Sequence, residues 1–140
     1  MAYYECLNNN DHINIGDKFN VSLTGSHNQT ITATVCYIDK TTLCLLSDTS
    51  LGTAIWSTQC KYSWNYTVNI NNKNYTAICR IPTFEQLNSK CAGYKRDFYY
   101  WTSTPYDSNH SWYVNSNNGV YYDRSSSNTF NTVPFIEIIL

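Results

Sequence analysis

Polar and apolar residues alternate over short stretches in the first third of the chain, with breaks at Gly16-Asp17 and Gly25-Ser26-His27-Asn28. A period of two sends one row of side chains inward and the other toward solvent, so strands are predicted over 13–15, 19–23, 31–38 and 43–46. Val35-Cys36-Tyr37-Ile38 and Leu43-Cys44-Leu45-Leu46 flank the turn Asp39-Lys40-Thr41-Thr42. In the hairpin this predicts, Cys36 lies opposite Leu45 and Cys44 opposite Tyr37, with the two thiols on opposite faces. The pattern weakens between 47 and 64, where Ala54-Ile55-Trp56 is the one apolar knot. It returns in Tyr66-Thr67-Val68-Asn69-Ile70 and Tyr75-Thr76-Ala77-Ile78-Cys79, a second hairpin around the polar turn Asn71-Asn72-Lys73-Asn74.

One segment, 81–93, reads as helix. Thr83 with Gln86 three residues on has the capping-box arrangement, Lys90 falls in the last turn and Gly93 just beyond it. Phe84, Leu87 and Cys91 share one side of that helix, which packs by it. Further on, Trp112-Tyr113-Val114-Asn115-Ser116 and Val120-Tyr121-Tyr122-Asp123 flank Asn117-Asn118-Gly119, a third hairpin. Alternation groups Trp112, Val114, Val120 and Tyr122 on one face, and Tyr113, Asn115, Tyr121 and Asp123 on the other. Val133 to Leu140 closes the chain as an apolar strand.

Composition narrows the classes. Only 14% of the 140 residues are charged and the net charge is -1, so there is no electrostatic footprint for nucleic acid or an anionic membrane. Polarity comes instead from Asn, Ser, Thr and 13 Tyr. No apolar run is long enough to span a bilayer. The start, Met1-Ala2-Tyr3-Tyr4-Glu5-Cys6, lacks the basic and apolar regions of a secretion signal, so synthesis in a cytoplasm is expected. The six cysteines include no Cys-x-x-Cys pair and are expected to be free and mostly buried; no metal site is predicted.

Arg80-Ile81-Pro82-Thr83-Phe84-Glu85-Gln86-Leu87 resembles the helix start of bacterial C-type lectin-like domains of the formylglycine-generating-enzyme-like branch. Trp101-Thr102-Ser103-Thr104, Ser111-Trp112-Tyr113-Val114 and Asn118-Gly119-Val120 are similar to a later run of the same domains, and Ile15-Gly16-Asp17 to their opening. The resemblance implies an α+β, C-type lectin-like fold, with one or two helices, long irregular loops, and paired N- and C-terminal strands. It implies a single domain over 1–140, divided into a scaffold (1–98), a binding face (99–131) and a closing strand (132–140). The calcium-ligand motifs of the sugar-binding lectins are absent, and so is any cysteine after Cys91 that formylglycine generation would need.

Within that superfamily the chain resembles the variable proteins of diversity-generating retroelements, in which adenines of the 3′ coding region are randomised. An Asn codon randomised in that way yields Tyr, Ser, Asp, His and others, but never Lys, Gln, Glu, Met or Trp. Lys, Gln, Glu and Met occur twelve times in residues 1–95 and never in residues 96–136. The stretch 99–131 holds six Tyr, six Asn and seven Ser, a composition like that of antibody paratopes. The expected ligand-binding residues are Tyr99, Tyr106, Asp107, Asn109, His110, Tyr113, Asn115, Asn117, Tyr121, Asp123, Ser125, Ser127, Asn128 and Phe130. Trp101 and Trp112 are expected in the scaffold. Neither His110 nor the pair Asp107 and Asp123 comes with a partner that would make it catalytic, so no enzyme is predicted and no cofactor. The expected function is recognition of a protein or surface glycan by a hypervariable face; the alternative is a fixed lectin-like adhesion or carbohydrate-binding domain. Nucleic acid and membrane insertion are excluded as partners, and a homo-oligomer or a phage virion is the assembly that would carry the domain.

Overall fold

Every second residue turns inward along β1 (Lys18–Gly25) and β2 (Gln29–Ile38), burying Val21, Leu23, Ile31, Ala33 and Val35. The structure, a computed structural model, describes residues 13–117 and 119–140. Residues 1–6, considered above for a secretion signal and including Cys6, lie outside the described residues, as does Asn118 of the third predicted turn. The chain continues through β3 (Thr42–Ser47), β4 (Thr53–Ala54), α1 (Trp56–Gln59), β5 (Trp64–Ile70), β6 (Lys73–Cys79), α2 (Phe84–Lys90), β7 (Tyr100–Pro105), β8 (His110–Asn115), β9 (Gly119–Arg124), β10 (Phe130–Asn131) and β11 (Phe135–Ile139).

Six strands pair in the order β11-β3-β2-β1-β5-β6, each antiparallel to its neighbour. Just past β6 the two edges meet again, where the Phe135 N–H donates to the Arg80 carbonyl at 2.9 Å, so the sheet nearly closes on itself. Inside lie Leu43, Leu45, Trp64, Tyr66, Val68, Ile70, Ile136 and Ile138, together with the inward rows of β1 and β2. Two backbone details allow the closure. Gly25 has φ +127, and a Cβ there would lie 2.6 Å from the Ser63 carbonyl oxygen, so only glycine fits where β1 approaches the start of β5. Asn71 and Asn72 both take positive φ, which makes the β5–β6 turn a two-residue hairpin turn.

The second sheet has the order β4-β10-β7-β8-β9. It leans on the outside of the first. Cys36, Cys44, Leu46, Leu87, Cys91, Tyr100, Val114, Val133 and Phe135 form a second buried cluster between the first sheet, α2 and β7–β8. This explains why β3 is buried along both of its faces: Leu43 and Leu45 point inward, Cys44 and Leu46 into the second cluster.

The architecture overturns the α+β, C-type lectin-like expectation. The described residues are 52% strand and 9% helix, built on a nearly closed β-sheet. Among the described residues helix is confined to four residues in α1 and seven in α2. The predicted capping box does start α2, with the Gln86 N–H donating to Thr83 Oγ1 (3.0 Å) and the Thr83 N–H to Gln86 Oε1 (2.9 Å). The helix then ends at once, because Cys91 is extended and Gly93 takes φ +70. Elsewhere β-branched and aromatic residues in alternation favour strand. The closing strand pairs with β3 rather than with the first described strand, β1. Residues 13–15 form no strand; Ile13 is buried and Ile15 lies in a turn. In the first hairpin, Tyr37 faces Cys44 as predicted, but a bulge between Val35 and Tyr37 sets Val35, not Cys36, opposite Leu45. The extra residue lets Cys36 point the same way as Cys44, into the second cluster. The five described cysteines are free, and all but the half-buried Cys60 are buried.

Candidate functional site

The site is built on the β8–β9 hairpin, whose register sets Tyr113 opposite Tyr121, Trp112 opposite Tyr122 and His110 opposite Arg124. The two face groupings read from alternation follow from this register. Which face is open, however, changes along the hairpin. Toward the turn, β8 is covered on both faces: Val114 packs in the second cluster and Tyr113 in the first. Tyr113, expected on the surface, is only 8% exposed, with its ring against Phe130 (4.4 Å between centroids), Tyr99 (5.7 Å) and Trp101 (6.0 Å). Burial, above all, holds its hydroxyl above the ordinary tyrosine value, and a hydrogen bond with Asn115 opposes this. Trp101 is fully buried as expected.

At the far end the side chains stay open. Tyr106 and Tyr122 stack in parallel, with 3.9 Å between centroids and 2° between planes, and both are nearly half exposed. Trp112 is half-buried beneath them, edge-on to Tyr106 (5.1 Å) and Tyr122 (5.7 Å) and backed by Phe84 of α2 at 5.0 Å. The tryptophan assigned above to the scaffold is thus the floor of an exposed aromatic platform. The Tyr122 hydroxyl beside it is the main cause that holds the Tyr106 hydroxyl above its ordinary value.

A tight loop fixes the edge of this platform. Asp107 accepts hydrogen bonds from the backbone N–H groups of Asn109 and His110 and contacts His110 Nδ1, each at 2.8 Å. These bonds, led by the one from Asn109, hold its carboxyl below the usual aspartate range. His110 and Arg124 are cross-strand neighbours and, with Asn109 and Ser126, line a polar recess of about 320 Å³. Arg124 makes no ion pair among the described residues. Asp123 lies on the opposite face, its carboxylate accepting from the Arg124 backbone N–H, so it does not join Asp107.

On that opposite face Tyr121 is 45% exposed and Tyr99 37%, with half-buried Asn115 and exposed Asn117 near the turn. Phe130 is half-buried against Tyr99 and Trp101. The link from Ser125 to Phe130 is held at its ends through the main chain. Ser125 N–H donates to the Asn109 carbonyl (2.9 Å), Trp56 N–H to the Ser125 carbonyl (3.2 Å) and Asn131 N–H to the Tyr99 carbonyl (2.9 Å). Between those ties Ser127 is exposed and Asn128 half-buried. Gln59 is fully buried beneath this link and donates to the Phe130 carbonyl at 2.6 Å.

No protein-family model, curated protein or solved structure matches this chain. Among the described residues no three of His, Cys, Asp and Glu gather as metal ligands, and no helix is long and apolar enough to cross a membrane. Sequence reasoning missed Trp112, Tyr122 and Arg124 as site members. Alternation had placed Trp112 and Tyr122 on one face with Val114 and Val120, but of these only Val114 is fully buried, in the cluster joined by Leu87 and Cys91 from a distant part of the chain.

Proposed function

We propose that the protein is a ligand-recognition module whose contact surface is the open end of β8–β9 and the Tyr106–His110 loop. One observation carries this reading. Among the described residues, the large aromatic side chains left exposed are Tyr99, Tyr106, Tyr121 and Tyr122, all within the stretch that lacks Lys, Gln, Glu and Met; Tyr106 and Tyr122 stack together at the proposed surface, and Tyr99 and Tyr121 lie on the other face of the hairpin. Exposed aromatics clustered on a rigid support are the usual anchors of an interface, since they offer large contact area and lose little conformational entropy on binding. Asn109, His110, Arg124 and Ser126 add a polar rim beside the rings. The restricted residue set over 96–136 supports diversification by a retroelement, and the lectin fold forms no part of the reading. The partner is a protein or a surface glycan, bound without cofactor or metal, and display on a phage virion is the setting in which such variation is useful.

Sequencing the gene's surroundings tests the diversification. A reverse transcriptase and a near-copy of the 3′ end differing only at adenines are expected, and their absence refutes it. Protein and glycan arrays test recognition itself. Tyr106→Ala and Tyr122→Ala should each abolish the signal with the melting temperature nearly unchanged; retained binding in both variants would move the site elsewhere.

A further inference from the structure

Cys36, the residue at the β2 bulge, and Cys91, just past α2, are 55 positions apart, yet their sulfurs approach to 3.2 Å. Both are buried, at 3% and 6% exposure. A second tie holds the same two segments together, from the Ala92 N–H to the Cys36 carbonyl at 3.1 Å. Cys44 is in the same cluster, but its contact with the Cys36 thiol is through its backbone carbonyl, at 3.5 Å. We infer that Cys36 and Cys91 are a disulfide modification site, cross-linked by exchange with a small-molecule disulfide such as oxidised glutathione. A bonded pair needs about 2.05 Å between sulfurs, so closure asks for a movement of roughly 1 Å. The inference does not depend on what the aromatic platform binds.

The closed pair is inert. The mutual hydrogen bond with Cys91, and then burial, hold the Cys36 thiol far above its ordinary value, and the thiolate is the attacking species. Exchange therefore passes through opening of α2, whose seven residues are too few for a helix to persist undocked. The Cys91 thiolate attacks one sulfur of glutathione disulfide. That S–S bond breaks, one glutathione thiolate leaves, and Cys91 carries a mixed disulfide. As α2 closes again, and before the pair is buried, the Cys36 thiolate attacks the Cys91 sulfur and the second glutathione leaves. The two thiol protons end on the two glutathiones, and two electrons pass from the cysteines to the reagent. In a reducing cytoplasm both thiols stay reduced and pack as small apolar groups; in an oxidising medium the bond staples α2 to β2 beneath Tyr100 and Val114.

The full chain, refolded in a mixture of oxidised and reduced glutathione, is alkylated and mapped by unreduced peptide mass spectrometry. A Cys36–Cys91 peptide pair is expected, with a melting temperature about 10 °C higher that returns to the reduced value with dithiothreitol. Cys44→Ala should keep the cross-link, and Cys36→Ser and Cys91→Ser should lose it. Should either serine variant fail to fold, the wild-type map alone decides. Alkylation of both cysteines after oxidation, or a cross-link from either to any other cysteine, overturns the inference.

Discussion

Truncating Tyr113 separates scaffold from contact surface. Its ring sits between Phe130, Tyr99 and Trp101, while its cross-strand partner Tyr121 is 45% exposed. Removing a buried aromatic ring costs about 3–5 kcal/mol through lost transfer energy and the cavity left behind. Here the lower end of that range applies, because the ring keeps 8% exposure and its hydroxyl end meets the half-buried Asn115. Tyr113→Ala should therefore lose about 3 kcal/mol, which lowers the melting temperature by roughly 10 °C in a chain of this size. Tyr121→Ala removes a ring that is open on one side and should stay within about 0.5 kcal/mol of the parent protein. Both values can be read from urea titrations followed by tryptophan fluorescence, with calorimetry as a second probe. If Tyr113→Ala melted as high as Tyr121→Ala, the ring would not be part of the core. Tyr113 would then lie outside the packed aromatic group of Phe130, Tyr99 and Trp101.

Other substitutions and conditions test separate elements. Gly25→Ala should destabilise by about 1–3 kcal/mol, since φ +127 and the Ser63 carbonyl at 2.6 Å leave no place for a Cβ; a neutral result in denaturant titration would contradict the close approach of β1 to β5. Thr83→Ala should cost about 1 kcal/mol by removing the capping box of α2, measured in the same titration, and Thr83→Ser should restore most of it. Because the folded Asp107 carboxyl titrates below its unfolded value, the support it gives the Tyr106–His110 loop is fully present above the ordinary aspartate value of about 3.9 and lost as pH falls through the lower folded value. The Asp107 side-chain carboxyl resonance should show its main titration step below the ordinary aspartate value; a step at or above that value would mean that the Asn109 and His110 N–H groups do not hold the carboxylate.

The features that were legible in the sequence are local ones. The β5–β6 hairpin, the Thr83 capping box and the facing of β8 against β9 each depend on residues a few positions apart, whose period and turn chemistry fix the outcome. What escaped reading depends on distant segments. The pairings of β1 with β5 and of β11 with β3 close the first sheet, and no short-range pattern encodes them. The bulge at Cys36 moved the register of β2 by one residue and reversed the expected direction of that thiol. Alternation sorted Tyr113 from Trp112 without saying which would be covered, and Phe130 and α2 decided that from elsewhere in the chain. Gln59, in the stretch without a pattern, supports β10 through a buried amide that composition alone does not reveal.

The main-chain ties at Ser125 and Asn131 have a consequence for how the protein can change. Every residue but proline carries the same backbone N–H and carbonyl, so the link between those two points keeps this anchorage when the side chains of 126–129 are exchanged. Selection acting there meets little penalty in foldability, and mutational load and binding specificity become separable traits. The same property makes positions 126–129 a slot for laboratory libraries, where a randomised insert would inherit fixed ends from a scaffold it does not need to stabilise.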